Sequence, residues 1–268
     1  MRIKLTKRAF YAVLISIAAV IFLAAAYYST GKSRTYVVKD VIDGDTILLE
    51  DMPYTLRYIG VDAPETLRDD SPGDPFGAAS TQFNRSLVEG RAVRVEFDKE
   101  KYDRFGRMLG YVFVDGKFVN ELIVGSGLAR VMRIKPNEKH FERLLNAETL
   151  AKRDKKGIWG NVAELKLLPV NQKFLIRPED AGNYIGQRVV VRGVIADGIK
   201  KEKVLVLNME GGMEVVIFKG SWGDFSFFGI EPLTYYMNKN VEVIGRVSVY
   251  HSRPQIIVRH PIALRLLE

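Results

Sequence analysis

The strongest constraint on the fold is a pattern of short β-like segments closed off by turn residues, and this pattern occurs twice along the chain. In the first set, runs at 36–41, 46–50 and 54–59 are separated by Asp43-Gly44 and Met52-Pro53. Two more runs follow at 92–97 and 109–114. Between the sets of three and two lies 67–76 (LRDDSPGDPF), whose prolines, glycine and aspartates read as an exposed loop. Residues 78–89 have helical spacing through Ala79, Phe83 and Leu87, stopped by Gly90. Further helices are expected at 119–126 and at 138–155, where Phe141, Leu144, Leu145 and Ala151 share one stripe. The second set reads as strands at 187–195, 204–208, 213–218, 241–250 and 254–260.

Five short strands with helices appended at one side fit a small barrel of the OB type. The expected class is therefore mainly β with appended helices (α+β): an OB-like five-stranded barrel followed by a second OB-like barrel. A chain of 268 residues suits two such domains of modest size. The boundaries read as 1–34 for an N-terminal segment, 35–162 for the first domain, 163–175 for a connector and 176–268 for the second domain.

The N-terminal segment has its own signal. Residues 9–28 are twenty positions without a charge, enough to span roughly 30 Å as a helix, the thickness of a bilayer core. Arg2, Lys4, Lys7 and Arg8 precede it, and Tyr27 and Tyr28 close it. This predicts a single-pass membrane helix with its N-terminus in the cytoplasm and the domains outside. The alternative is a signal peptide cleaved near Ala26, giving a secreted protein. Six basic residues and no acid fall within 1–34, so of the formal charge of +8 only +2 belongs to the rest. The high pI is thus mostly an N-terminal feature and is weak evidence for a polyanion partner. With no cysteine, disulfides, thiolate metal sites and cysteine nucleophiles are excluded.

The chemistry lies between Val41 and Arg107. Hydrolysing a phosphodiester needs a hard cation, a base for water and fixed positive donors for charge growing on phosphorus. Asp45 enters a strand from a turn and Asp62 closes one; together with a backbone carbonyl they can make an open oxygen site for Ca²⁺ or Mg²⁺. Glu65, just beyond Pro64, can stand beside that metal and act on water. Arg57 and Arg107 bring planar guanidinium forks suited to phosphate oxygens. Alone, Asp-Gly-Asp-Thr is a hairpin turn and Asp-Ala-Pro-Glu a helix-capping loop; the argument rests on their order and proximity.

The stretches Val41-Ile42-Asp43-Gly44-Asp45-Thr46, Arg57-Tyr58-Ile59-Gly60-Val61-Asp62-Ala63-Pro64-Glu65-Thr66 and Asp103-Arg104-Phe105-Gly106-Arg107 resemble the signature of the thermonuclease (staphylococcal-type nuclease) family. Val119-Asn120-Glu121 and Gly127-Leu128-Ala129 extend the likeness, which covers about residues 35–159. It implies a calcium-dependent nuclease acting on DNA and/or RNA, cutting the 5′ P–O bond to leave 3′-phosphate ends. Asp45, Asp62 and the Ala63 carbonyl would bind the metal, with Glu65 as general base and Arg57 and Arg107 stabilising the transition state. Arg104, Arg133 and Lys135 are the candidate substrate-binding residues. The stretch 131–136 departs from the family pattern, because tyrosine is missing before its Lys-Pro turn. A non-catalytic, membrane-tethered nucleic-acid-binding protein is the alternative reading.

After residue 176 a weaker likeness to nucleic-acid-binding OB modules is carried by 184–193, 245–247 and 253–256. There Arg188, Arg192, Arg246 or Arg253 would meet phosphates. Trp222, Phe225, Phe227, Phe228, Tyr235 and Tyr236 are expected to cap the barrel between its third and fourth strands. The three histidines do not cluster in sequence and read as solvated or structural.

Overall fold

A computed structural model describes residues 15–20, 34–160 and 172–267 of the chain. Most of the apolar run 9–28 lies outside the described residues. Within it, 15–20 is helical, with Ile15, Ile17 and Val20 exposed. Among the described residues no helix is long and apolar enough to cross a membrane.

The first unit is built on β1 (Arg34–Val41), β2 (Thr46–Leu49), β3 (Thr55–Tyr58), β5 (Ala92–Glu96) and β6 (Met108–Val114). Their hydrogen-bonded order runs β3-β2-β1-β5-β6, and β6 returns to pair in parallel with β3, closing a five-stranded barrel. Closure depends on β1, which serves two neighbours. Residues 34–37 pair with β5, and after an irregularity between Val38 and Asp40 the strand continues against β2. A bulge bends a strand and raises its twist, which is what a small closed sheet requires. Ile47, Leu49, Leu56, Val93, Val95 and Val112 fill the interior.

Shorter pairings were not legible in the sequence: β4 (Val61–Asp62) with β8 (Arg130–Val131), and β7 (Lys117–Phe118) at the end of β6. Three helices flank the barrel: α1 (Gly77–Val88), α2 (Val119–Gly125) and α3 (Phe141–Arg153). α2 lies against β6 and α3 packs on α2.

The second unit contains β10 (Arg188–Lys200), β11 (Val204–Met209), β12 (Glu214–Phe218), β13 (Asn240–Tyr250) and β14 (Arg253–Ile257). Neighbours pair as β10-β11-β12-β14-β13, and β13 pairs again with β10, so the order returns to its start. β10 extends past the expected end at 195. It pairs with β13 up to Val194, shifts register between Ile195 and Asp197, and pairs with β11 beyond. Asp197-Gly198 reads locally as a turn, yet here it sits inside a strand. Two short strands lie outside the ring, β9 (Leu175–Ile176) on β10 and β15 (Leu264–Leu266) on β13. Leu175, placed in the connector by the sequence, therefore belongs to this sheet; residues 161–171 lie outside the described ones.

Between β12 and β13 come α4 (Trp222–Phe227) and α5 (Pro232–Tyr236). Phe225 and Tyr236 are fully buried there, and Trp222, Phe228 and Tyr235 pack on the same core, which fits a structural role. A third apolar cluster joins the two units: Ala151, Ile158 and Trp159 from the first, Ile262 from the second, with Phe76 and Phe228 against them. Trp159 is fully buried; His260 and Phe227 meet it edge-on, with ring centroids 4.8 and 5.7 Å away.

Candidate active site

The Asp-Gly-Asp turn is shaped by the helix beneath it. Asn84 of α1, fully buried, donates from Nδ2 to the Asp43 carbonyl at 2.9 Å and accepts from the Tyr58 hydroxyl at 2.9 Å. Asp43 Oδ1 accepts from the Asp45 amide at 3.0 Å, and the Tyr58 amide donates to the Asp45 carbonyl at 2.8 Å. Gly44 is needed for close approach. A Cβ there would lie 1.8 Å from Ser80 Oγ and 2.7 Å from the Ala63 Cβ. The glycine thus lets α1 and the Ala63 segment close on the turn that carries Asp45.

Asp45 is 3% exposed. Its Oδ2 accepts the Ala63 amide at 2.7 Å and its Oδ1 the Thr46 hydroxyl at 3.0 Å. The same Oδ1 is paired with Nη1 of Arg57, while Nη2 of Arg57 stands 3.6 Å from Asp62 Oδ1. One guanidinium therefore sits between the two aspartates expected to bind metal. The other oxygen of Asp62 faces Arg130 Nε at 3.4 Å. Burial pushes Arg57 below its ordinary pKa; Asp62, Asp43 and, more weakly, Glu65 pull it up, and Arg107 pushes it down. Arg57 thus feels Asp62, Glu65 and Arg107 and is paired with Asp45. It remains a cation, because a guanidinium starts too high to lose its proton.

Glu65 lies in the loop between β4 and α1. Its side chain is exposed, yet the protein around it partly desolvates the carboxyl and raises its pKa; Asp43 adds to the rise, and Arg188 and Arg57 oppose it. Arg107 is carried by a tight turn in which Asp103 Oδ1 accepts the Phe105 and Arg107 amides, both at 2.9 Å. Asp103 Oδ2 takes Arg107 Nε at 2.7 Å. The guanidiniums of Arg104 and Arg107 lie 4.8 and 5.5 Å from the centroid of the exposed Phe105 ring. Arg133 is paired with Glu138 and lies over Phe141, and Lys135 is exposed. Among the described residues Arg104, Arg133 and Lys135 make no hydrogen bond or ion pair with Asp45, Asp62 or Glu65.

The carboxylates of Asp45 and Asp62 and the Ala63 carbonyl are oxygen donors, the type a hard divalent cation takes. Among the described residues no three His, Cys, Asp or Glu side chains form a metal cage. Instead two carboxylates converge on one positive charge, Arg57, whose buried Nη1 lacks a well-formed hydrogen bond. Oxygen donors this few leave room for waters and a phosphate.

Several contributors escaped sequence reading. Asp43 read as a turn residue, yet it is close enough to Arg57 and Glu65 to shift both. Arg130 follows the Gly127-Leu128-Ala129 motif and could have been flagged there. The arginines proposed to grip phosphates from the second unit are engaged within the protein. Arg188 pairs with Asp74, Arg192 with the fully buried Glu242, Arg253 with Glu214, and Arg246 donates to the Gly186 carbonyl.

The first unit is similar in sequence to known nucleases. The family model described as Staphylococcal nuclease homologue matches residues 55–161. The chain is 40% identical over 139 residues to the thermonuclease of Staphylococcus hyicus, covering 51% of this chain and 82% of that protein. It is 35% identical over 130 residues to the thermonuclease of Staphylococcus intermedius, covering 48% and 77%. Endonuclease YncB of Bacillus subtilis (strain 168) is 42% identical over 122 residues, 44% of this chain and 58% of that protein. With its barrel, its Asp-Arg-Asp arrangement and these relatives together, the chain belongs to the thermonuclease family.

Proposed function

We propose that this protein is a metal-assisted endonuclease that hydrolyses phosphodiesters of DNA and/or RNA. The observation that carries the reading is the Arg57 guanidinium lodged between Asp45 and Asp62, with Glu65 and Arg107 in its field. Asp45, Asp62 and the Ala63 carbonyl would hold Ca²⁺, with Mg²⁺ as the alternative, and such a cation neutralises the phosphate and eases charge build-up on phosphorus. Glu65 orients the attacking water and accepts its proton. Arg57 and Arg107 meet the phosphate oxygens with planar forks. The P–O5′ bond breaks, the leaving oxygen takes a proton from solvent, and a 3′-phosphate end remains. Arg104, Arg133 and Lys135 contact the polynucleotide further from the scissile bond.

The second unit is read as an OB-like module, because its strands close in the same cyclic order as the first barrel. Residues 9–28 are read as a membrane anchor with the domains outside the cytoplasm. The uncharged run and the exposed apolar helical turn at 15–20 support this; release by cleavage near Ala26 is the alternative. A location outside the cytoplasm suits a small donor set, since calcium is plentiful there.

The test incubates the full chain in detergent with plasmid DNA and with RNA, adding Ca²⁺, Mg²⁺ or a chelator. Cleavage with 3′-phosphate ends is expected with metal, and none in chelator or in Glu65→Gln and Arg107→Ala. Wild-type binding without turnover in any metal would overturn the reading in favour of a tethered nucleic-acid-binding protein.

A further inference from the structure

We propose that the C-terminal unit is a positioning element of the nuclease site: Arg188 of β10 holds the loop that carries Glu65, and Asp224 of α4 holds the arginine beside Asp62. This rests on the nuclease reading above for its effect on turnover, though not for its geometry.

The loop between β4 and α1 is closed by a reciprocal pair. The Glu65 amide donates to Asp74 Oδ2 at 3.0 Å, and the Asp74 amide donates to the Glu65 carbonyl at 2.8 Å. Gly77 seals it from the other side, since a Cβ there would stand 1.9 Å from the Glu65 carbonyl oxygen. The backbone of Glu65 is therefore placed wherever Asp74 is placed. The remaining oxygen of Asp74 is paired with Arg188 Nη2, and Arg188 Nε donates to the Pro72 carbonyl at 3.1 Å. Lys173 adds a hydrogen bond to the Asp69 carbonyl. Three loop positions, 69, 72 and 74, thus receive cationic donors from the C-terminal unit. The Arg188–Asp74 pair is mostly buried, with side chains 14% and 12% exposed, so solvent screens it little. Burial pushes the Asp74 carboxyl up, and Arg188 is the strongest influence pulling it back.

The second hold is on the opposite carboxylate. Arg130 spans Asp62 at 3.4 Å and Asp224 at 3.0 Å. Asp224 is fixed in turn by Lys152 at 3.0 Å, and Lys152 is tied to Glu148, whose Oε1 accepts the Val131 amide at 2.6 Å. Asp62 therefore has Arg57 on one oxygen and, on the other, an arginine anchored by the C-terminal unit. The Trp159 cluster keeps the two units in register between these holds. A general base and a metal-binding carboxylate need placement to a fraction of an ångström, and a misplacement of about 1 Å costs about 100-fold in rate.

The experiment uses the full chain, comparing wild type, Arg188→Ala, Arg188→Lys and Asp224→Asn. Turnover of a short fluorescent DNA is measured at saturating Ca²⁺, and amide hydrogen exchange across 61–76 is measured without substrate. The proposal expects kcat of Arg188→Ala to fall by about 10–100-fold with KM little changed. Exchange at Glu65 and Asp74 should rise while β5 and β6 stay protected. Arg188→Lys, which keeps the charge and loses the Pro72 contact, should recover part of both. Asp224→Asn should loosen the Val61 and Asp62 amides instead. Unchanged exchange at Glu65 in Arg188→Ala, or a kcat equal to wild type, overturns the proposal. Inactive wild type with the expected exchange pattern would refute the nuclease reading and leave the clasp standing. If Arg188→Ala does not fold, the same comparison is decided by Arg188→Lys.

Discussion

Arg57 lies at the crossing point of the site, and its replacement separates charge from shape. In Arg57→Lys the ammonium can sit on Asp45 or Asp62 but cannot span both, as the two Nη atoms of Arg57 do. Folding then loses the looser ion-pair contact, to Asp62, and keeps one ion pair on Asp45. Arg57→Met removes the cation altogether. Asp45 and Arg57 have side chains only 5% and 14% exposed, so breaking their pair should cost about 3–5 kcal/mol in chelator. Turnover should behave differently, because in the proposed mechanism the fork meets the phosphate in the transition state. Losing one such donor costs about 100–1000-fold, equivalent to about 2.7–4 kcal/mol, so both variants should lose that much. Urea unfolding in chelator and oligonucleotide cleavage at saturating Ca²⁺ measure the two effects. A lysine variant that turns over within about threefold of wild type would refute the argument from fork geometry. A methionine variant as stable as wild type would refute the buried-pair argument.

Gly44→Ala should destabilise the first barrel by about 1–3 kcal/mol through overpacking against Ser80 and Ala63, and should lower kcat by moving Asp45; unchanged unfolding and activity would contradict this. His260 is buried and kept neutral: burial first, then the charges of Arg130 and Lys152, push its pKa well below the usual value. The unfolded chain therefore takes up the proton first, and stability should fall as pH drops below about 6.5, by up to about 1.4 kcal/mol per unit. Comparing urea midpoints of wild type and His260→Asn between mild acid and neutral pH checks this, the variant being expected to lack that part of the slope. Glu242 is fully buried between Arg192 and Arg265, so Glu242→Ala should cost about 3–5 kcal/mol by removing the carboxylate the two arginines share; calorimetry showing no loss would mean the two ion pairs contribute nothing.

Much of this protein follows from local signals. Alternating apolar residues and turn residues announce the ten strands that make up the two rings, because strand periodicity and turn chemistry act over a handful of neighbours. The candidate site was legible too: Asp45, Arg57, Asp62, Ala63, Glu65 and Arg107 occupy adjoining strand ends and turns whose order is written in the chain. Asp43 was under-read for the same reason, since a residue in Asp-Gly looks like a turn until its distance to Arg57 is known. What stayed hidden depends on residues remote in sequence. The extension of β10 through Asp197-Gly198 depends on pairing with β11, which overrules a turn signal. Trp159, near the end of the first unit, lies in the apolar contact between the two units. The Arg188–Asp74 and Arg130–Asp224 pairs join positions 114 and 94 residues apart. No periodicity or motif encodes such pairs, because they exist only once the two units have packed against each other.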